Sequence, residues 1–151
     1  MNPVLAELAK KGELKREPTS PDEIKSFLDH AAQALSDAGV SGLSASGRFE
    51  FAYTAAHALA FAALRAHEVR PGAGRGHRAI VFFTLTQTVG VPDTFGSSLN
   101  RYHTKRNRSE YGQWVEVTEA EAKDLFELAT TLQGRVLHWL EIHRPKLTSA
   151  K

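Results

Sequence analysis

The stretch from Phe51 to Ala66 constrains the fold of this 151-residue chain more than any other. Alanine is its commonest residue, and in the letters FAYTAAHALAFAALRA apolar side chains fall on nearly every face of a helix. A helix that is apolar all round is buried, and small side chains let neighbouring backbones approach it closely. We therefore predict that a helix from about Ser44 to Val69 forms the centre of a bundle.

Helix-start signals on both sides of this stretch predict two further long helices. The letters SPDE at 20–23 and TEAE at 118–121 each place a hydroxyl residue three positions before a glutamate, which is the arrangement of a capping box. Apolar residues at helical spacing follow each signal, which predicts amphipathic helices over about 20–38 and 118–143.

The segment AIVFFTLTQTVG, residues 79–90, is rich in β-branched and aromatic residues, and read alone it favours a strand. A lone strand would have no partner in a chain that is otherwise helical, so its backbone donors would be left unpaired. We therefore predict a helix here as well, closed by Gly90 and Pro92. The expected fold class is all-α.

Composition limits the chemistry and the setting. No cysteine is present, which excludes disulfides, thiolate catalysis and cysteine-based zinc sites. The first residues carry scattered charges and no long apolar run, so we expect no signal peptide, no membrane anchor and a cytoplasmic location. The formal charge is only +2, so attraction to an acidic partner must come from local clusters. We expect a loosely attached leader with a short helix at 1–19, a bundle at 20–144 and a disordered tail at 145–151.

The densest chemistry lies in TFGSSLNRYHTKRNRSEYG, residues 94–112, which we interpret as one helix. Apolar residues recur at helical spacing as far as Tyr102 and would face the core. One turn further, the same face carries Arg106. An arginine does not lose its charge, so this one should lie at the rim of the core or pair with Glu110.

Three further cations, Arg101, Lys105 and Arg108, fall on a neighbouring face of the predicted helix. No acidic residue separates them in the sequence, so that face would present a local cation cluster of the kind that meets phosphate. The alternative interpretation is an ordinary solvated helix face.

Two other places suggest binding chemistry only weakly. His57 lies inside the buried alanine-rich run, where an imidazole is more often a hydrogen-bonded core residue than a metal ligand. The loop RPGAGRGH at 70–77, followed by Arg78, could cradle phosphate with its backbone amides. It lacks the GK[ST] of a P-loop, so we interpret it as a connection in which His77 and Arg78 only assist binding. No metal and no cofactor are expected.

In order and spacing these elements resemble the HEPN superfamily (higher eukaryotes and prokaryotes nucleotide-binding domain). Its small bacterial branch has an aromatic, alanine-rich central helix, a histidine at the start of the next helix and a later Arg-x-x-Asp/Glu-Tyr motif. Here those elements read Tyr53 to His57, His77, and Arg106 to Tyr111, although three residues and not two separate Arg106 from Glu110. The resemblance covers about residues 20–142. It implies an up-and-down bundle of four to five helices, usually a homodimer, with the polar motif facing a cleft near the dimer interface.

Many members of this superfamily are RNases of toxin-antitoxin or other defence systems, and others partner a small nucleotidyltransferase. The resemblance gives the nuclease pattern as Arg-x4-6-His, of which Arg106 and Asn107 match the first half. The histidine is missing, so a metal-independent RNase would need His103 or His77 as its general base. Tyr111 is a poor base but a good stacking group.

Three hypotheses follow. The leading one is a HEPN-like module that binds RNA or a nucleotide, and the second is a metal-independent RNase. The third is a non-catalytic partner subunit, in which Arg106, Glu110 and Tyr111 brace the helices and a nucleotidyltransferase or an antitoxin is the partner. The predicted binding residues are Arg101, Lys105, Arg106, Arg108, Tyr111, His77 and Arg78.

Overall fold

The computed structural model describes residues 2–73, 77–110 and 115–148, with the backbone only at 77–79 and 109–110. The chain folds as an all-α bundle, as predicted, with one short two-stranded ribbon. In chain order the elements are α1 (Pro3–Lys10), β1 (Leu14–Arg16), α2 (Pro21–Ala38), α3 (Ala45–Ala66), β2 (Val69–Pro71), α4 (His77–Phe83), α5 (Leu85–Val89), α6 (Asp93–Glu110), α7 (Glu119–His143) and α8 (Pro145–Thr148).

The alanine-rich helix α3 is the centre of the bundle, as its composition predicts. It packs along α2 on one side and along α7 on the other. Its alanines are almost all buried, because both neighbours cover it closely. The helix α6 lies at the edge of this arrangement, packed mainly against α4 and touching α3, α5 and α7 less. None of the described helices is long and apolar enough to cross a membrane.

The predicted caps begin α2 and α7. Thr118 and Glu121 form the full reciprocal box, with the Thr118 Oγ1 accepting from the Glu121 amide at 3.1 Å and Glu121 Oε1 accepting from the Thr118 amide at 3.0 Å. At α2, Ser20 Oγ accepts from the Glu23 amide at 3.1 Å. The carboxylate of Glu23 turns instead to a distant partner, Arg65, so this glutamate connects α2 to α3.

The segment with β-like letters is helical, as predicted from the lack of a partner strand. It forms two short helices, α4 and α5, that join at Thr84. The Thr84 Oγ1 donates to the Ile80 carbonyl at 2.8 Å, which satisfies this hydroxyl inside the helix. Gly90 ends the second helix, and α6 begins three residues later at Asp93.

The expectation that the chain holds no paired strand is wrong, because β1 and β2 form an antiparallel ribbon. Leu14 lies opposite Pro71, and Arg16 lies opposite Val69. The ribbon needs a glycine at position 72, where an added Cβ would collide with the carbonyl oxygen of Gly12, two residues before β1. Part of the glycine-containing loop therefore serves as a strand.

A two-stranded ribbon is marginal by itself, and Arg65 anchors this one to the bundle. The side chain of Arg65, at the end of α3, is only 1% exposed. Its guanidinium donates to the backbone carbonyls of Glu17, Pro18 and Val69, at 3.1, 2.6 and 3.1 Å. It also pairs with the carboxylates of Glu17 at 3.3 Å and Glu23 at 3.0 Å. Both strands are thus fastened, at the same end of the ribbon, to one buried cation.

The two ends of the described chain pack more tightly than the sequence predicts. A loosely attached leader was expected at 1–19, yet Leu5 in α1 and Leu14 in β1 are buried at 0% and 1% exposure. The tail was expected to be disordered from residue 145, yet Pro145–Thr148 form α8 and Leu147 is buried. A few leucines at each end of the described chain thus complete the core. Apolar residues are too few in these segments for a local pattern to predict this burial.

Candidate functional site

The helix α6 carries most of the predicted binding residues, and a close approach to α4 fixes its position. Asp93 at its start accepts a hydrogen bond from the Thr86 hydroxyl at 2.9 Å. At Gly96 an added Cβ would lie 2.7 Å from the carbonyl oxygen of Phe82, so only glycine allows this contact. Leu99 and Tyr102 are buried, as the core stripe predicts. The helix is therefore held firmly over most of its length.

Three of the predicted cations lie together, on the side of α6 that faces α7. Arg101, Lys105 and Arg108 line a groove of about 500 Å³, together with Tyr102, Thr104 and Glu121. We call this the α6–α7 groove. The prediction that these cations share one face, separate from Arg106, is confirmed.

The expectation of a cluster without acids is wrong, because Glu121 comes from the neighbouring helix. Its two carboxylate oxygens accept from Lys105 Nζ at 2.9 and 2.8 Å. The hydrogen bond from Lys105, with that from the Thr118 amide, holds the pKa of Glu121 below its usual value. Within the described residues neither Arg101 nor Arg108 forms an ion pair. The groove thus brings together two guanidinium groups that form no ion pair with the described residues.

Tyr102 forms the floor between the groove and the core. Its hydroxyl donates to Asp124 Oδ2 at 2.5 Å, and the guanidinium carbon of Arg101 lies 5.5 Å from its ring centre. Burial, with the hydrogen bond to Asp124 and the charge of that carboxylate, raises the pKa of Tyr102 to about 12. This tyrosine stays neutral and acts as a fixed hydrogen-bond donor to α7.

Arg106 points to the other side of α6, toward α3. Its guanidinium carbon lies 4.7 Å from the centre of the Tyr53 ring, and its Nε lies 3.6 Å from Glu50 Oε2. The side chain is 21% exposed. The sequence proposed Glu110 as its partner, and the side chain of Glu110 lies outside the described part of the structure. The contacts that the structure does show come from α3, which a period within α6 cannot predict.

Beside Arg106 lies a second concave surface, a cavity of about 480 Å³ between α2, α3 and the ribbon. We call it the aromatic cavity, since rings form most of its wall. Its lining residues are Phe27, His30, Tyr53, Thr54, His57, Ala58, Phe61, Pro71, Val81 and Arg106.

His57 is half-buried and lies in the wall of this cavity, so the expectation of an ordinary core histidine holds only in part. The sequence analysis places Tyr53, His57 and Phe61 in the predicted buried helix, and it also assigns Tyr53 and His57 to a motif of the resemblance. Their spacing of four residues, in a run rich in alanine, is the signal that could have revealed a wall of rings.

The predicted residues His103 and Asn107 belong to a buried chain of hydrogen bonds. His103 is 6% exposed, with Nδ1 at 2.7 Å from the Tyr53 hydroxyl and Nε2 at 3.1 Å from the Asn107 amide nitrogen. The rings of Tyr53 and His103 are nearly parallel, at 16°. Both imidazole nitrogens are thus engaged by protein groups, and this histidine fixes the Tyr53 ring under Arg106.

Three of the predicted binding residues have no described side chain. Tyr111 lies outside the described residues, and for His77 and Arg78 only the backbone at the start of α4 is described. Their predicted roles stay predictions. Over the rest of the chain, where side chains are described, no three histidine or acidic side chains lie close enough to hold one metal ion.

Comparisons with protein-family models, with curated proteins and with solved structures found no match to this chain.

Proposed function

We propose that this chain is a HEPN-like module that binds RNA or a nucleotide through α6. The observation that carries the proposal is the division of the α6 cations between two concave surfaces. Arg106 lies at the aromatic cavity, and Arg101 and Arg108 lie in the α6–α7 groove. Guanidinium groups in concave surfaces are suited to bind phosphate, and aromatic rings beside them are suited to stack on a base.

The α6–α7 groove has the features of a phosphate-binding surface. Lys105 is partly neutralised by Glu121, whereas Arg101 and Arg108 bring two positive charges to the same groove. A single strand of nucleic acid carries one negative charge per nucleotide, so two neighbouring phosphates could each meet one arginine.

An RNase is the less supported alternative. The base of a metal-independent RNase must accept a proton from the 2′-hydroxyl of the substrate, which requires an accessible lone pair. His103 is buried, and both of its ring nitrogens lie within hydrogen-bond distance of Tyr53 or Asn107. His103 is therefore unsuited to this role, which leaves His77 as the candidate base. Because the histidine of the nuclease pattern is missing, we expect the purified protein to leave single-stranded RNA intact.

The resemblance also leads us to propose a homodimer and a place in a toxin-antitoxin or defence system. Light scattering at micromolar concentration should then give about twice the chain mass of 16.6 kDa. A chain that is monomeric at that concentration would contradict the dimer while leaving the binding proposal unaffected.

The binding proposal is tested with a labelled single-stranded RNA at several salt concentrations. We expect affinity to fall with salt, and Arg108→Ala to reduce the slope of the logarithmic plot by about 0.7 for the lost phosphate contact. Lys123→Ala is the matched control, because Lys123 is 78% exposed on α7 and lies outside both concave surfaces. Absence of binding to both RNA and nucleotides at low salt, or an equal effect of the two variants on RNA binding, would overturn the proposal.

A further inference from the structure

We infer that the aromatic cavity is the subsite for the base of one unpaired nucleotide, whose phosphate meets Arg106. This inference rests on the proposed function and makes it more specific. It assigns the ligand of α6 to single-stranded RNA or a free nucleotide and not to a duplex.

The wall of the cavity is a row of flat rings along α3. Tyr53, His57 and Phe61 follow at intervals of four residues, with ring centres 6.0 and 6.1 Å apart and planes within 27° and 30° of each other. Phe27 from α2 extends the row, with its ring centre 5.1 Å from that of Phe61. Bases that leave a helical stack are held on such aromatic faces, which accept any base because every base has a π-face.

The size and the polarity of the cavity agree with a single base. Its volume of about 480 Å³ falls within the range of small-ligand sites, which is roughly 300 to 1,000 Å³. The lining is mainly apolar, and its polar groups include the two imidazoles of His30 and His57, the hydroxyls of Tyr53 and Thr54, and Arg106. A few polar groups in an apolar wall fix the orientation of a ligand edge, as a base requires.

Arg106 joins this apolar space to a phosphate. Its guanidinium lies over the Tyr53 ring, which His103 holds from below through a hydrogen bond of 2.7 Å. A guanidinium binds two phosphate oxygens through parallel N–H groups, and Arg106 lies where the phosphate of a base in the cavity would be. In a duplex the base would be paired and stacked inside the helix, so only an unpaired nucleotide can reach both features.

The test compares nucleotides with a ligand that lacks only the base. Calorimetric titration measures the affinity of the wild-type protein for the four ribonucleoside 5′-monophosphates and for ribose 5-phosphate. We expect the best nucleotide to bind at least about tenfold tighter than ribose 5-phosphate, because stacking of one base on aromatic side chains gives an effect of this size.

Two variants then locate the base. His57→Ala and Phe61→Leu should bring the affinity for the nucleotide close to that for ribose 5-phosphate. His138→Ala and Phe83→Leu are the matched controls, since both side chains are exposed and neither lines the cavity. Melting curves verify that each variant is folded. If Phe61→Leu fails to fold, His57→Ala carries the test, because its side chain is only half-buried.

A direct signal comes from the fluorescent base of 2-aminopurine riboside 5′-monophosphate. Stacking in the cavity should quench its emission with the wild type and much less with His57→Ala. If RNA binds but nucleotides and ribose 5-phosphate bind equally, or if neither cavity variant changes the ratio, the base subsite is wrong and the binding proposal stands. If neither RNA nor any nucleotide binds, the proposed function itself is wrong.

Discussion

Two arginines lie at the central helix in contrasting surroundings, Arg65 as part of α3 itself and Arg106 reaching it from α6. Arg65 at the end of α3 is 1% exposed and is surrounded by two carboxylates and three backbone carbonyls. Arg106 from α6 is 21% exposed, lies over the Tyr53 ring and has Glu50 at 3.6 Å, beside an open cavity. Arg65 is thus enclosed by protein acceptors and stabilises the fold, whereas Arg106 lies at the rim of a cavity.

The largest expected effect is the loss of stability on substitution of the enclosed arginine, Arg65. Arg65→Met should lower the free energy of unfolding by about 3 to 5 kcal/mol, because it leaves Glu23 and several carbonyls without their buried partner. Urea titration measures this loss. Arg48→Met is the control, since Arg48 pairs with the 75% exposed Glu119 and should cost at most about 1 kcal/mol. Equal losses in the two variants would break the comparison.

Arg106→Ala should act on binding more than on stability. We expect about tenfold weaker nucleotide affinity from the lost phosphate contact, and a change in unfolding free energy of at most about 1 kcal/mol from the lost ring contact. Calorimetry and urea titration measure the two quantities on the same sample. A stability loss as large as that of Arg65→Met, with no nucleotide binding by the wild type, would show that both arginines are structural braces.

The pH dependence of stability tests the enclosed arginine further, through its partner Glu23. Burial raises the pKa of this carboxyl, but the hydrogen bonds from Arg65 and Thr19 outweigh burial and hold the pKa below its usual value of 4.5. A carboxyl with a lowered folded-state pKa contributes stability above its unfolded pKa, and the contribution disappears as the pH falls through the folded pKa. The stability difference between wild type and Glu23→Gln should therefore narrow below about pH 4.5. A difference that stays constant from pH 7 to pH 3 would contradict this.

The smallest expected effect concerns the carboxylate beside Arg106. Glu50 is 52% exposed, and its negative charge competes with an incoming phosphate for the same guanidinium. Glu50→Gln should therefore tighten nucleotide binding about two- to fivefold at low salt, with a smaller gain at high salt. Glu119→Gln is the control, because that carboxylate pairs with Arg48 away from the cavity. Weaker binding in Glu50→Gln would mean that this carboxylate contacts the ligand.

Features that depend on neighbours in the sequence could be predicted. The box at Thr118 and Glu121 needs only four consecutive residues, and the burial of α3 follows from its own composition. The helical state of α4 and α5 required one more step, since their letters favour a strand. The prediction of helix for this segment is correct, although the chain does hold two strands, since β1 and β2 pair with each other.

Features that join distant parts of the chain could not be predicted. The ribbon pairs 14–16 with 69–71, and no local pattern in three residues announces such a partner. The contact of Arg106 with Glu50 follows from how α6 crosses α3, whereas helical spacing gave only neighbours within α6. For the same reason the acid in the α6–α7 groove, Glu121, was missed. Sequence reasoning thus predicted the helix α6 and divided its cations correctly between two faces, but it did not predict their partners.

Because the ribbon places one wall of the aromatic cavity, we expect the walls of this cavity to form at different stages of folding. The row of rings along α3 forms as soon as that helix forms, because its members are one turn apart. Pro71, which closes the cavity on another side, is placed by pairing with Leu14 across a long intervening chain. Closing so long a loop costs entropy that is recovered only after the helices between have packed. We therefore expect the complete cavity to form late in folding. A measurement of ligand binding during refolding should then show when residues 2–16 have packed against the bundle.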